Sequence, residues 1–217
     1  MNAGIEILTS AASTRLSTAQ TVRDALCLDA TLADAVIEAL IDRASAAIAR
    51  RVNVASAPGA TLGRERVRER FASVAPFEPL FLSRRPIAAL VRIAEDAAET
   101  LAGFSGFALN RVNGRLAKMG GRVAAPWTAD EIVVEYDAGW LLPGQSGRDL
   151  PADLEAACIQ WVDAMLAVDR ESERPRIAKE SLAGVGSWEY ELVKRHGEDG
   201  CPPGVAGLLR PYIRRHV

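Results

Sequence analysis

A chain of 217 residues that is 49% hydrophobic and 25% charged has volume for a real core and the make-up of an ordinary globular protein. A net charge of −2 excludes a coat held to nucleic acid by a global positive field, and three widely spaced cysteines exclude a disulfide framework. No basic segment leads into an apolar run at the start, and no window approaches about 18 uninterrupted apolar residues. Neither a signal peptide nor a membrane span is expected, and the protein is expected to be made and used in the cytoplasm.

Residues 1–16 hold small and polar side chains in no sustained period and read as a loosely held arm. Residues 18–28 can form a short helix with Val22, Ala25 and Leu26 on one side, broken by Asp29 and Ala30. Thr31 then offers an N-cap, with Asp34 three residues on as a weak capping box. Over 32–52 the set Val36, Ile37, Leu40, Ile41, Ala44 and Ile48 keeps a helical period for about five turns. Ala35, Ala39, Ala44, Ala46 and Ala47 permit close approach of a neighbouring helix. The same two helices could be a DNA-binding helix-turn-helix, but the second offers only alanine and acid before Arg50 and Arg51, a poor recognition surface.

A Pro/Gly/Ala linker at 55–63 separates this segment from strand-like runs. Residues 67–71 alternate, as do 87–93 with Ile87, Ala89, Val91 and Ile93 on one face. Residues 107–119 read as a hairpin turning at Asn113-Gly114 in a type I′ turn, with Phe107, Leu109 and Leu116 on one face and the tip exposed. Residues 131–136 form the strongest strand, Ile132, Val134 and Tyr136 opposing Glu131, Val133 and Glu135. After a loop containing Gly144, Gly147 and Asp149, Pro151 suits the first turn of a helix, and Asp153 and Glu155 suit its dipole. Leu154, Cys158, Trp161, Met165 and Val168 draw its apolar stripe, which should pack on the 32–52 helix. Cys27 and Cys158 read as core residues.

Helicity ends at 173–176. Residues 177–190, punctuated by Gly184 and Gly186, read as an extended or looped arm whose Trp188 and Tyr190 need burial or a partner. Cys201-Pro202-Pro203-Gly204 makes a rigid break before a short helical piece at 205–209. The fold class is therefore α+β: a helical bundle core (18–52 and 150–171), an inserted small antiparallel β-unit (64–138) and an extended C-terminal arm (177–217), in one domain.

Chemistry-bearing motifs are scarce. His196 and His216 have no Cys or His at metal-ligand spacing, and no nucleophile elbow, Walker loop or complete dinucleotide fingerprint occurs. Asp130, Glu131 and Glu135 read as solvated edge charges. No cofactor, metal or enzymatic activity is expected. Arg64, Arg66, Arg68, Arg70, Arg84, Arg85 and Arg92 cluster in the early β-unit against Glu65, Glu69 and Glu78. They read as a solvated face, or as a surface for an acidic partner or for DNA passing without sequence readout; Arg64, Arg66, Arg68, Arg84 and Arg85 are the candidates. At the C-terminus Leu208, Leu209, Tyr212 and Ile213 form an apolar strip too short to be stable alone, flanked by Arg210, Arg214 and Arg215. Stiffened by Pro202-Pro203, it reads as a projecting docking arm, the alternative being that Leu208 and Leu209 cap the chain's own core.

Six strings, in order, carry a resemblance: LADAVIEALIDRASAAIARR, FLSRRPI, VVEYDAGW, LPADLEAA, KESLAGVGSWEY and PPGVAGLLRPY. Together they resemble the head-tail connector (adaptor) proteins of long-tailed bacteriophages and phage-derived gene-transfer particles, in the longer form with a β-insertion. The resemblance implies a structural particle protein, ring-forming with commonly twelve subunits, seated under the portal in the particle neck after assembly in the host cytoplasm. Its partners would be the portal protein, a stopper, head-closure or tail protein, further copies of itself, and double-stranded DNA in an axial channel, with no membrane. It also implies portal binding by Leu208, Leu209, Arg210, Tyr212, Ile213, Arg214 and Arg215. Asn113, Gly114, Trp188 and Tyr190 are candidates for contacts between subunits or rings. Two readings from other classes compete: a small enzyme with a scattered site, and a DNA-binding regulator using the N-terminal helices.

Overall fold

The computed structural model describes residues 2–52, 61–96, 98–100, 103–172, 179–182, 186–189 and 201–213. The fold is α+β, in two compact units. One comprises Met1–Arg15, Ala49–Leu150 and Arg214–Val217, the other Leu16–Ile48 and Pro151–Ile213.

Among the described residues the first unit holds nine strands: β1 (Asn2–Thr9), β2 (Glu65–Ala72), β3 (Leu80–Phe81), β4 (Ile87–Glu95), β5 (Ala98–Thr100), β6 (Phe107–Asn110), β7 (Arg115–Gly120), β8 (Val123–Ala124) and β9 (Glu131–Ala138). A five-stranded antiparallel sheet runs β1-β2-β9-β4-β5, and a second runs β3-β7-β6 with β8 also on β7. Alternation decides which face of each strand is apolar. Val67, Phe71, Ile132, Val134 and Tyr136 from the larger sheet share one buried cluster with Leu80, Leu116 and Trp127. The indole of Trp127 stacks on Phe107 and donates its N–H to the Glu78 carbonyl (2.9 Å).

Three expectations change here. The first residues are not a loose arm, because β1 pairs along β2. Ile5 and Ile7 fall opposite Glu69 and Val67 on the core side, while Glu6 falls opposite Arg68 outside. In β4, register shifts between Ile87 and Ala89 and between Leu90 and Arg92 break the expected alternation. Each irregularity flips the following residues to the other face, so Ala89 is exposed and Leu90 packs against the core.

The third concerns the hairpin. β6 and β7 are joined through four residues, Asn110 standing opposite Arg115, and of these only Gly114 has a positive φ (71°). The Asn110 side chain organises the turn by accepting from the N–H groups of Val112 (3.1 Å) and Asn113 (3.2 Å). A type I′ turn would need positive φ at two central residues.

In the helical unit α1 (Ala19–Leu26) starts at Thr18, whose hydroxyl accepts the Thr21 N–H (3.1 Å). It ends at Cys27 in the left-handed region (φ 49°), which leaves that thiol exposed rather than in the core. α2 (Asp34–Arg51) begins later than Thr31 would place it, since the Thr31 N–H donates instead to Asp29 Oδ1 (2.8 Å) in a turn. Ile37, Leu40, Ile41, Ala44 and Ile48 are buried, but Val36 is 46% exposed.

α3 (Ala152–Ser172) buries Leu154, Ala157, Cys158, Trp161 and Val162, with Met165 half-buried; Val168 lies outside the described side chains. α2 and α3 approach through Ser45, whose hydroxyl lies 3.8 Å from Cys158 Sγ and also accepts the Leu16 N–H (3.0 Å). β10 (Lys179–Leu182) and β11 (Gly186–Glu189) form an antiparallel two-stranded pair within the segment read as an extended or looped arm. Finally α4 (Pro203–Leu209) is followed by a 3-10 turn over Arg210–Tyr212.

Candidate interaction surfaces

Period-two alternation gives β2 two opposite rows. Arg66, Arg68 and Arg70 point outward, and each meets a carboxylate on a neighbouring strand. Arg66 clasps Asp137 with two N–H groups (2.9 and 3.1 Å), and Arg70 lies 3.5 Å from Glu131. Arg68 bridges Glu135 (2.9 Å) and Glu6 (3.1 Å), and Arg92 reaches Glu135 from the other side (3.0 Å). Glu6, Arg68, Glu135 and Arg92 thus alternate in sign across β1, β2, β9 and β4. Burial opposes ionisation of Glu135, but the hydrogen bonds and charges of Arg68 and Arg92 overcome it and hold the carboxyl below its ordinary value. On this face four arginines stand against four carboxylates, so a polyanion meets no excess positive charge.

The inward row of β2 is Glu65, Val67, Glu69 and Phe71, all buried. Sequence reading counted both glutamates as counter-charges to the arginines. Their parity with Val67 and Phe71 was the available sign that they face the core. Arg84, a channel candidate, is inside as well, 3% exposed and 3.6 Å from Glu65. None of its guanidinium nitrogens has a hydrogen-bond partner among the described residues. Its backbone N–H donates to the Tyr136 hydroxyl (3.1 Å), which donates in turn to Glu69. Burial raises the pKa of both glutamates, with Arg84 opposing.

The other arginine candidates are engaged within the same unit. Arg64 bonds Asp149 (2.5 Å) and the Gly139 carbonyl (3.1 Å). Arg85 donates to the Asn113 carbonyl (3.1 Å). That contact and the Leu82 N–H to Gly114 carbonyl bond (2.9 Å) dock the hairpin tip onto residues 82–85. Asn113 and Val112 are exposed, but Gly114 is buried, contrary to the expected free tip.

The C-terminal candidates fold back instead of projecting. Val205 and Leu209 are fully buried, and the Tyr212 phenol's pKa is raised by burial and, next, by Asp153 of α3 beside it. Leu208 and Tyr212 are half-buried, while Arg210 and Ile213 (37%) remain exposed. Pro203 opens α4 at a position that needs no N–H, so the proline pair starts a helix here. Arg214, Arg215, Tyr190, His196 and His216 lie outside the described residues. Trp188 stands opposite Glu180 in the β10–β11 pair. No helix among the described residues is long and apolar enough to cross a membrane.

No family model matches the chain, and no curated protein does. Solved structures do. A chain in the neck of an empty gene transfer agent particle, computed with C6 symmetry, has a TM-score of 0.54 and 20% identity over 99% of this chain and 97% of that one. The neck of the native particle, computed with C12 symmetry, gives 0.53 and 19% over 99% and 97%. The virion of the native gene transfer agent particle gives 0.52 and 18% over 98% and 96%. From end to end, the chain has the fold of a protein found in the neck of gene transfer agent particles.

Proposed function

We propose that the protein is a structural component of the neck of a phage-like particle: a head-tail connector (adaptor) that forms a ring under the portal, joins head to stopper or tail, and surrounds the DNA channel. The observation that carries this reading is the near-complete mutual cover with neck chains whose particles were computed with C6 and C12 symmetry. A ring subunit needs two different surfaces that are complementary to each other, and a closing rotation makes the cycle. The balanced arginine–carboxylate face suits passage of DNA, since paired charges release few counterions and hold the polyanion weakly.

The portal contact falls to the exposed edge of the C-terminal segment, Arg210 and Ile213 with Leu208 and Tyr212 beside them, while Leu209 anchors that segment from inside. Arg214 and Arg215 extend it in sequence. Arg210→Glu combined with Ile213→Asp should fold normally and leave DNA-filled heads without tails. Electron cryomicroscopy of particles from the host strain tests the whole reading. A ring of this chain directly below the portal is expected, and its absence from the neck overturns the proposal.

A further inference from the structure

The two units carry opposite charge. The β-unit holds 17 Lys and Arg against 12 Asp and Glu, a net of +5, and the helical unit 9 against 16, a net of −7. Much of the positive charge is matched on the outer face of the five-stranded sheet, as described above. The outer face of the four-stranded sheet is different.

Strand pairing defines that face. Leu116 points into the core opposite Leu80 and Leu109, so Arg115, Ala117 and Met119 of β7 point away from it, with Phe81 opposite Arg115 and Ala108 opposite Ala117. The face is thus apolar at its centre, with Phe81 50% exposed, and Val123 is 68% exposed at the β7–β8 turn. Arg115 and, in that turn, Arg122 are exposed and make no ion pair among the described residues. A half-exposed phenylalanine opposite an arginine that makes no ion pair among the described residues marks an interaction surface more than a solvated one.

We propose that this face docks on the helical unit of the next copy, along the exposed strip of α2 formed by Val36, Ala39 and Asp42, and so closes the ring head to tail. The inference rests on the ring reading above and names the contact that makes the ring. Charge complementarity selects the occupant: the basic rim meets a helix whose residues around Val36 include Asp34, Glu38 and Asp42 against Arg43, an acidic excess within a unit of net −7. Val36 supplies the apolar counterpart, as the large hydrophobic most exposed in the described part of the helical unit. Two copies meeting by the same face would instead oppose Arg115 and Arg122 to themselves, which like-charge repulsion disfavours. A face with no copy to itself makes a heterologous contact, which is what a cyclic assembly requires.

The test uses particles assembled with chains carrying Cys27→Ser, to remove the exposed native thiol, together with Phe81→Cys and Val36→Cys. A short bismaleimide should produce a ladder from monomer up to the closed ring on a denaturing gel. Either cysteine alone should give no species beyond a dimer. A neck that contains the ring but yields no ladder from the double variant overturns the contact. In parallel, Arg115→Glu with Arg122→Glu should leave the melting curve unchanged and lower neck occupancy at least tenfold, with Asp42→Arg restoring part of it. Unchanged occupancy would also overturn the contact. Absence of the wild-type chain from the neck would overturn the ring reading itself, and this contact with it.

Discussion

The Tyr136 hydroxyl donates a hydrogen bond to the Glu69 carboxylate in the interior of the β-unit, where both side chains are fully buried. Glu69 also accepts the Ser83 backbone N–H (2.9 Å) and hydroxyl (3.2 Å), so three donors compensate one buried carboxylate. Tyr136→Phe removes the strongest of them and should cost about 1–3 kcal/mol. The pH dependence has a definite sign. Burial raises Glu69 above its ordinary value of 4.5, so the folded state binds its proton more tightly than the unfolded chain. Its contribution is therefore fully present below the unfolded value and is lost as pH rises through the folded one. Loss of the Tyr136 donor should raise the folded value further, so the variant's urea midpoint should fall more steeply between pH 5 and pH 8 than the wild type's.

Glu65 and Arg84 should respond unequally to substitution. A buried carboxylate left alone can take up a proton, whereas a guanidinium cannot lose one at any pH the fold survives. Glu65→Gln should cost about 3–5 kcal/mol at pH 8, where it removes the charged partner of a buried pair, and less as Glu65 itself takes up a proton at lower pH. Arg84→Met should be mild at pH 5 and harmful at pH 8, because its stability then depends on a protonated Glu65. Equal and pH-independent losses in the two variants would refute the assignment.

Thiol chemistry should separate the cysteines cleanly. Burial pushes the Cys158 thiol up to about 12, and Cys201 is buried as well. Cys27 is exposed at the end of α1. At pH 8 a disulfide reagent should therefore titrate one thiol quickly in the native protein and all three after addition of denaturant. A second fast thiol would mean that Cys158 or Cys201 is open to solvent, contrary to their burial.

Gly114→Val should fail for a packing reason as well as a backbone one. Its φ of 71° disfavours any β-branched residue, and a Cβ there would lie 2.7 Å from the Leu82 carbonyl oxygen. We expect a loss of about 2–4 kcal/mol, the hairpin tip lifting from residues 82–85. Asn113→Ala should be far milder, since that side chain is exposed and supports only the Arg115 N–H (3.0 Å). Chemical denaturation of the two variants side by side makes the comparison.

Truncation after residue 200 should destabilise the helical unit. Val205 and Leu209 are wholly buried, and Leu209→Ala alone should cost about 2–5 kcal/mol. A truncated chain that melted like the full-length protein would return the segment to the role of a free docking arm.

Long regular periods were legible in the sequence: α2, α3 and β9 lie within a few residues of where hydrophobic spacing puts them. Strand β1 was not, because three residues of alternation around Glu6 among small neighbours are too few to read. The β4 irregularities were hidden for another reason, since a bulge leaves composition unchanged and only shifts parity. The matched arginines could not be deduced at all. Arg68 meets Glu135 because β2 lies beside β9, and that adjacency is a property of the sheet order. The exposed Phe81 was passed over because the run Leu80-Phe81-Leu82 looks uniformly buried, although its middle residue points the other way.

The pairing of β1 has one more outcome. Register irregularities at both ends make it a poor template for another strand, and it covers β2, whose pairing with β9 is unbroken for eight residues. Clipping residues 2–9 would turn that straight, fully regular strand into the rim of the sheet, with a row of unpaired N–H and C=O groups open to any passing chain. Under the ring assembly proposed above, those residues guard against stacking in an undefined number.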